Sequence, residues 1–456
     1  MAQIYKDVAA LKAGLSGVAA VDGGVKVTDK KKFTSQTIDD LVWSAAFGDD
    51  ATKAAARWVI RCAANDLGCP SASIQGLYDA FAAGKAKGFT VPAHNLRGMI
   101  YDKSRAIFRT AKATDAGAFI FEIAKSEMGY CDVRPAEYAA CVLAAAIKEG
   151  HVGPVFIQGD HFQFAMKDYQ KDPKATTDGI KKLTKEAIEG GFFNIDIDSS
   201  TLVVLERPSV KEQQRDNFER AAELTEFIRG LEPKGVTVSV GGEIGEVGKF
   251  NSTVEEFEEY FKGFQEKFKG KPISKMSVQT GTSHGGVILA DGSRAEVTID
   301  FNILRNITAA CRKVGVGGTV QHGASTLPEK HFVEFPRSDA IEIHLATEFQ
   351  RIVFDHPKLP VELREKMVKW IKETKPPEWK EGDAEAKNIE KCFKRAWGPV
   401  KKEFWSMPAD ARQAIVGTLE AKFTTLFKLL NVPGTKGVVN EFVKPAPVTP
   451  PKPAGL

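Results

Sequence analysis

The chain has 456 residues, 43% of them hydrophobic and 27% charged, and a formal net charge of +4. This is the make-up of an ordinary soluble globular protein. Lys and Arg interspersed among Asp and Glu exclude a nucleic-acid-binding track. The opening MAQIYKDVAALKAG lacks a signal-peptide core, and no apolar run approaches the ~20 residues a membrane helix needs, so a cytoplasmic protein with no membrane partner is expected. Cys62, Cys69, Cys131, Cys141, Cys311 and Cys392 form no CxxC pair or zinc-ribbon spacing, which points to reduced, buried thiols. The length allows two or three domains, fewer if one unit is a barrel of about 250 residues.

Residues 1–87 read as a helical N-terminal extension. TIDDLVWSAAF, ATKAAARWVIRCAANDL and SASIQGLYDAFAAG each place apolar residues three and four apart. From about 88 to 354 short β-branched or apolar runs alternate with amphipathic stretches, the pattern of repeated βα units and a parallel sheet. The runs are FTVPAHN (89–95), AGAFIFEIA (116–124), PVFIQGDH (154–161), FFNIDIDSS (192–200), VTVSVGGEIG (236–245), KMSVQTGTSHG (275–285), GGTVQHGAS (317–325) and AIEIHLATE (340–348). Eight strands, each followed by a helix, predict an α/β fold of the closed (β/α)₈ TIM-barrel type, with a doubly wound open sheet as the competing architecture. Between them, NSTVEEFEEYFKGFQEKF is a helix that Ser252 or Thr253 can cap, with Glu255 and Glu256 in its first turn. Residues 355–443 turn helical again, and the Pro-rich 444–456 reads as an extended tail without a core of its own.

Polar and ionisable residues collect at the C-terminal ends of these runs: Asn95, Ser126, Asp160 with His161, Asp198, Glu243, His284, His322, and His344 with Thr347. In a barrel these ends share one face, the face that carries the chemistry. A single strand-end histidine is most often a hydrogen-bonded structural residue. His161, His284 and His322 on one face instead match an open zinc site, with a fourth position left for water or substrate. Glycines beside them, in TSHGG (282–286) and QHGAS (321–325), allow close backbone approach, and such turns either cradle a phosphate or are merely tight βα connections.

In their order along the chain these motifs resemble the class II, metal-dependent fructose-bisphosphate and tagatose-bisphosphate aldolases, over roughly residues 88–352. The motifs are Asp160-His161, Asp198-Ser199-Ser200, VSVGGEIGEVG (238–248), TGTSHGG (280–286), HGAS (322–325) and IHLATEFQ (343–350). The resemblance implies reversible aldol cleavage of a ketose (bis)phosphate such as fructose 1,6-bisphosphate, through an enediolate stabilised by Zn²⁺ or another divalent cation. It assigns His161, His284 and His322 as metal ligands and Asp160 as the acid/base on the hydroxyl at the cleaved bond. Asp198 and Glu243 become metal-proximal carboxylates. Gly285, Gly323, Ser325 and Thr347 line a phosphate pocket, and Asn95 and Ser126 match polar positions at the first two strand ends. The implied partners are a sugar phosphate and further copies of the chain in a homo-oligomer.

Neighbouring strand residues point to opposite sides, so Asp160 and His161 serve one site only if the strand bends or ends there, for which Gly159 is the expected device. Three positions depart from the family pattern. His344 stands where the family has Asn. The loop after the fifth strand is short, leaving Glu246 as its nearest carboxylate for an acid/base role. His284-Gly285-Gly286-Val287-Ile288 replaces the family's HG-x-Y-K run, and Ala324 a glycine. The competing functions are therefore a metal-dependent sugar or sugar-acid epimerase or isomerase, with His344 as the extra proton-transfer group, and a non-catalytic accessory barrel.

Overall fold

The computed structural model describes residues 2–245, 250–281, 299–324 and 327–456. All eight anticipated strands are present: β1 Val91–Asn95, β2 Ile120–Ala124, β3 Val155–Gln163, β4 Asn194–Asp198, β5 Ser239–Glu243, β6 Lys275–Val278, β7 Thr319–Gln321 and β8 Glu342–Leu345. Each pairs in parallel with its sequence neighbours, and β8 pairs with β1 through Glu342↔Val91 to Leu345↔His94, so the sheet closes into a (β/α)₈ barrel. Parallel strands buried on both faces need continuous apolar sequence. The runs supply it on the outer face, while inside, as shown below, the alternation is polar.

The helices form where the spacing places them. In Val254–Lys267, Thr253 caps the start: its Oγ1 accepts from the Glu256 N–H at 3.1 Å, while Glu256 Oε2 accepts from the Thr253 N–H at 2.7 Å. The region before the barrel is helical as expected (Val8–Leu15, Ile38–Phe47, Asp50–Asp66, Gln75–Ala82), with two additions: a short strand, Ser71–Ala72, that pairs in parallel with β3, and an antiparallel hairpin of Ala19–Val21 with Val25–Val27. Asp22-Gly23-Gly24 is the turn that permits it, and strands of three residues are too short for alternation to reveal.

Both helical extensions dock on the barrel and share one apolar core with it. Helix Asp50–Asp66 lies against Pro135–Glu149, where Arg57 pairs with Glu137 at 3.1 Å. Helix Ala409–Leu429 lies against Ile100–Thr114, with Arg109 on Glu420 at 2.6 Å. The Pro-rich end runs extended over the N-terminal helices, where Trp58 Nε1 donates to the Pro450 carbonyl at 2.9 Å. All six cysteines are buried and free. Among the described residues no helix is long and apolar enough to cross a membrane.

His94, on the outer face of β1, joins barrel to extension. It is fully buried among Phe349, Phe423 and Phe427, with Nδ1 on the Ile120 carbonyl at 3.1 Å. Burial pushes its pKa down to about 4, so it is folded as the neutral ring. A depressed folded value gives stability that is complete above the unfolded pKa, about 6.5, and is lost as the pH falls towards 4. The loss is on the order of 3 kcal/mol. Denaturation midpoints measured between pH 7 and 4 should fall across this window, and His94→Leu should flatten that part of the profile.

Candidate active site

Asp160 and His161 do face one site, but the bend lies elsewhere than at Gly159. Strand β3 continues to Gln163, and its register against β4 slips between Gly159 and Phe162, three residues on β3 spanning two on β4. The extra residue is His161, held at φ 43°. That left-handed conformation is costly for a side chain with a Cβ and is found where a bulge re-aims a functional group. Gly159 has a different task. A Cβ there would come within 2.5 Å of the Phe162 ring, which the bulge folds back over it.

The re-aimed imidazole enters a pocket of carboxylates and rings. His161 Nδ1–H donates to Asp198 Oδ2 at 2.9 Å and lies 3.5 Å from Glu243 Oε2. Asp198 is held in turn by Gln163 Nε2 at 2.5 Å and the Ser200 hydroxyl at 2.8 Å. The His161 ring centre is 4.5 Å from that of His322, which is 4.1 Å from that of His344. His322 Nε2 shares a hydrogen bond with Ser277 Oγ at 2.9 Å. Asp160 Oδ1 lies 3.2 Å from His344 Nδ1 and 3.8 Å from His161 Nε2.

Ligand atoms of His161, Glu243 and His322 all lie within 4.8 Å of one another, as do those of Asp160, His322 and His344. A nitrogen–oxygen–nitrogen set of this size suits zinc or a similar divalent cation, and the Asp198 carboxylate behind His161 is the kind of partner that fixes a ligating ring. The electrostatics point the same way. Burial opposes charge on His161 and His344, yet the surrounding carboxylates outweigh it and raise both imidazoles well above their usual pKa. Burial would also raise Asp160, but His161 and His344 hold it well below the usual carboxylate range. The pocket is thus a field of negative charge that recruits cations.

Beneath it the barrel interior is charged rather than aliphatic. Lys275 is fully buried, and its ammonium donates to Gln158 Oε1 at 2.7 Å, Asp196 Oδ2 at 3.0 Å and Glu342 Oε1 at 2.6 Å, one acceptor for each N–H. Gln158 Nε2 donates to Glu122 Oε2 and Glu342 Oε1, both at 2.9 Å. His344 Nε2–H donates to Glu342 Oε1 at 2.6 Å, while Nδ1 lies 3.2 Å from both Glu122 Oε2 and Asp160 Oδ1. Tyr78, from the helix before the barrel, donates its hydroxyl to Glu342 Oε2. Burial alone would keep Glu342 protonated, but Lys275 and His344 bring it down to about 2. Asp196 is raised to about 6 by burial, which Lys275 offsets only in part, and burial raises Glu122 well above the usual range against the pull of His344. A Cβ on Gly241 would overlap Asp196 Oδ1 and stand 2.8 Å from Lys275 Cε, so glycine there makes room for the ion pair.

A cavity of about 280 Å³ opens above this stack, lined by Asn95, Ser126, Asp160, His161, His322, Gly323, His344 and Thr347 among others. The model of one family, the class II fructose-bisphosphate aldolases, matches residues 76–398. The chain belongs to this family. Solved structures of similar fold include the fructuronate-tagaturonate epimerase UxaE from Cohnella laeviribosi in complex with glycerol, at 11% identity over 90% of this chain and 93% of that one, with a TM-score of 0.55. A probable tagatose 6 phosphate kinase from Sinorhizobium meliloti 1021 is 14% identical over 79% of this chain and 95% of its own, TM-score 0.50. The YdjI aldolase from Escherichia coli K12 is 14% identical over 80% and 99%, TM-score 0.49. No curated protein matches the sequence.

In this class II aldolase relative, every anticipated site residue within the described stretches lies at the barrel mouth. Asn95, Ser126, Asp160, His161, His322, Gly323, His344 and Thr347 line the cavity, and Asp198 and Glu243 stand behind His161. His284, Gly285, Ser325 and Glu246 lie outside the described residues. Sequence reasoning missed the interior set of Tyr78, Glu122, Gln158, Asp196, Lys275 and Glu342, although a signal was present. Gln158/Asp160, Asp196/Asp198, Lys275/Ser277 and Glu342/His344 are each two apart, so each pair shares the inward face of its strand. Also missed was Arg97, whose Nε donates to Glu127 Oε1 at 2.6 Å, and Lys394 and Arg395, which reach the cavity from the C-terminal region.

Removing one partner of a buried ion pair strands the other. Lys275→Met should therefore cost about 3–5 kcal/mol in chemical denaturation. Adding Glu342→Gln should recover part of that loss in a double-mutant cycle; strictly additive losses would show that the pair is not coupled.

Proposed function

We propose that the chain is a metal-dependent aldolase that cleaves a ketose phosphate, with fructose 1,6-bisphosphate the first substrate to try and dihydroxyacetone phosphate and an aldehyde the products. The observation that carries this reading is Asp160 beside the His161–Glu243–His322 group at the barrel mouth. His161, His322 and Glu243 would hold the cation, with His284 a further ligand candidate from the family motif. When bound, it supplies Lewis acidity at the substrate carbonyl, where negative charge collects as the carbon–carbon bond breaks.

The residues of the chain do the rest. Asp160, kept ionised by its imidazole neighbours, accepts the proton of the hydroxyl on the carbon that leaves as the aldehyde, and returns it in the synthetic direction. The electron pair of the broken bond passes to the carbonyl fragment, and the resulting enediolate takes a proton from solvent on carbon to give dihydroxyacetone phosphate, so no oxidant or reductant is needed. His344, anchored below by Glu342, fixes the Asp160 carboxylate against rotation. Asp198 sets the ring of His161, and Gly323, on the loop after β7, and Thr347, at the start of the helix after β8, flank the substrate where such barrels bind phosphate.

The pairing of His344 with Asp160 favours one second reading. Two proton-carrying groups 3.2 Å apart above one cation site also suit epimerisation of a sugar acid, the chemistry for which the Cohnella protein is named.

Purified protein should cleave fructose 1,6-bisphosphate in a coupled triose-phosphate assay, lose that activity on chelation and regain it with zinc. Asp160→Asn should lower kcat by about 10²–10⁴-fold while the bound zinc, measured by atomic spectroscopy, stays the same. Turnover that survives this change removes Asp160 from the acid/base role. His344→Asn, which installs the family residue, should leave cleavage within about tenfold of the parent. Deuterium uptake from solvent into a sugar acid, abolished by His344→Asn, would instead establish the epimerase.

A further inference from the structure

The wall of the catalytic cavity is rich in carboxyl groups, with Glu122, Glu127 and Asp160 all facing it. An anionic substrate therefore needs positive charge at the entrance. The barrel supplies Arg97, already engaged by Glu127. Among the described residues, the other Lys and Arg side chains lining this cavity are Lys394 and Arg395, from the C-terminal helical region.

This segment is firmly seated. Trp397 is buried over Gly98, where any Cβ would overlap its ring, and its Nε1 donates to Gln350 Oε1 at 3.2 Å. Its ring packs on Phe354 at 4.6 Å and Phe404 at 4.4 Å. Together with Trp397, the turn Phe393–Ala396 thus bridges the loop after β1, the helix Lys125–Tyr130 and the helix Thr347–Phe354. The two cations are aligned by one carboxylate. Glu378 accepts from Arg395 Nε at 3.0 and 2.9 Å and from Nη2 at 2.7 Å, and takes Lys394 Nζ at 3.0 Å. Arg395 also rests on the Tyr130 ring, 5.0 Å from its centre. Glu378 holds the Nε–Nη2 edge of the guanidinium, which leaves the Nη1 edge for another acceptor. Two cations against one carboxylate leave a net positive charge at the cavity mouth.

We propose that Lys394 and Arg395 form the recognition site for an anionic group of the substrate, a phosphate or a carboxylate, at the end remote from the reacting carbons. The proposal rests on the reading of this cavity as the active site. It makes the C-terminal region a specificity element, and it assigns Glu378 as the residue that preorganises the cations and competes with the substrate for them.

The test is isothermal titration of the full-length, zinc-loaded protein with inorganic phosphate and, separately, with gluconate. The parent should bind at least one of them, and the preferred anion identifies the substrate's charged group. Lys394→Ala/Arg395→Ala should weaken that binding at least about tenfold. Glu378→Gln should tighten it, because the competing carboxylate is gone, whereas a purely structural salt bridge predicts unchanged or weaker binding. Failure of the parent to bind either anion, binding by the double variant equal to that of the parent, or weaker binding by Glu378→Gln would each overturn the proposal. Zinc content and fructose 1,6-bisphosphate cleavage on the same samples separate the two readings: the expected anion pattern in a protein that takes up no zinc sustains the clamp and removes the aldolase.

Discussion

The buried ammonium of Lys275 is the interaction on which the rest of this barrel depends. A barrel interior is usually filled by layers of branched apolar side chains. Here the middle layer is Gln158, Asp196, Lys275 and Glu342, and each N–H of the lysine has an acceptor. Desolvating such a set is expensive, and it persists only because its members satisfy one another. Gly241 is part of the same constraint, since a side chain there would occupy the space of the ion pair.

The layer above inherits its charge state from this one. Glu342, ionised because Lys275 lies against it, accepts from His344, and His344 in turn faces Asp160. The stack thus presents His344 to Asp160, which His161 and His344 together hold well below the usual carboxylate range. On the other side of the pocket a bulge at His161, rather than the chain's ordinary pleat, turns a ring that would point outward towards Asp198 and Glu243. The mouth therefore has two supports of different kinds, a polar stack from below and a backbone distortion from the side.

Much of this was legible in the sequence. The eight strands were found because short apolar runs separated by amphipathic helices have few other solutions, and the strand-end residues followed because a barrel sends all those ends to one face. Gly159 misled because glycine is the commonest residue at a bend, whereas here it makes room for Phe162 and the bend falls on His161. Lys275 was passed over because a lysine opening a strand reads as a solvated end. Nothing local tells that Gln158, Asp196 and Glu342 converge on it from three other strands. The approach of Lys394 and Arg395 to a cavity built by residues 95–347 is likewise a tertiary fact, carried by the seating of Trp397 on Gly98.

Tyr78 closes the floor of the stack from outside the barrel, and its bond to Glu342 joins positions 264 residues apart. On the ribosome the helix carrying Tyr78 emerges long before β8 exists. The interior layer cannot be completed until that last strand arrives, so the N-terminal segment has to wait, docked or undocked, for most of the chain. Contacts of such sequence separation form late and slowly. The order of assembly is therefore written into one phenol–carboxylate bond, and the floor of the barrel is sealed by a helix made before any barrel strand and by the last strand to join.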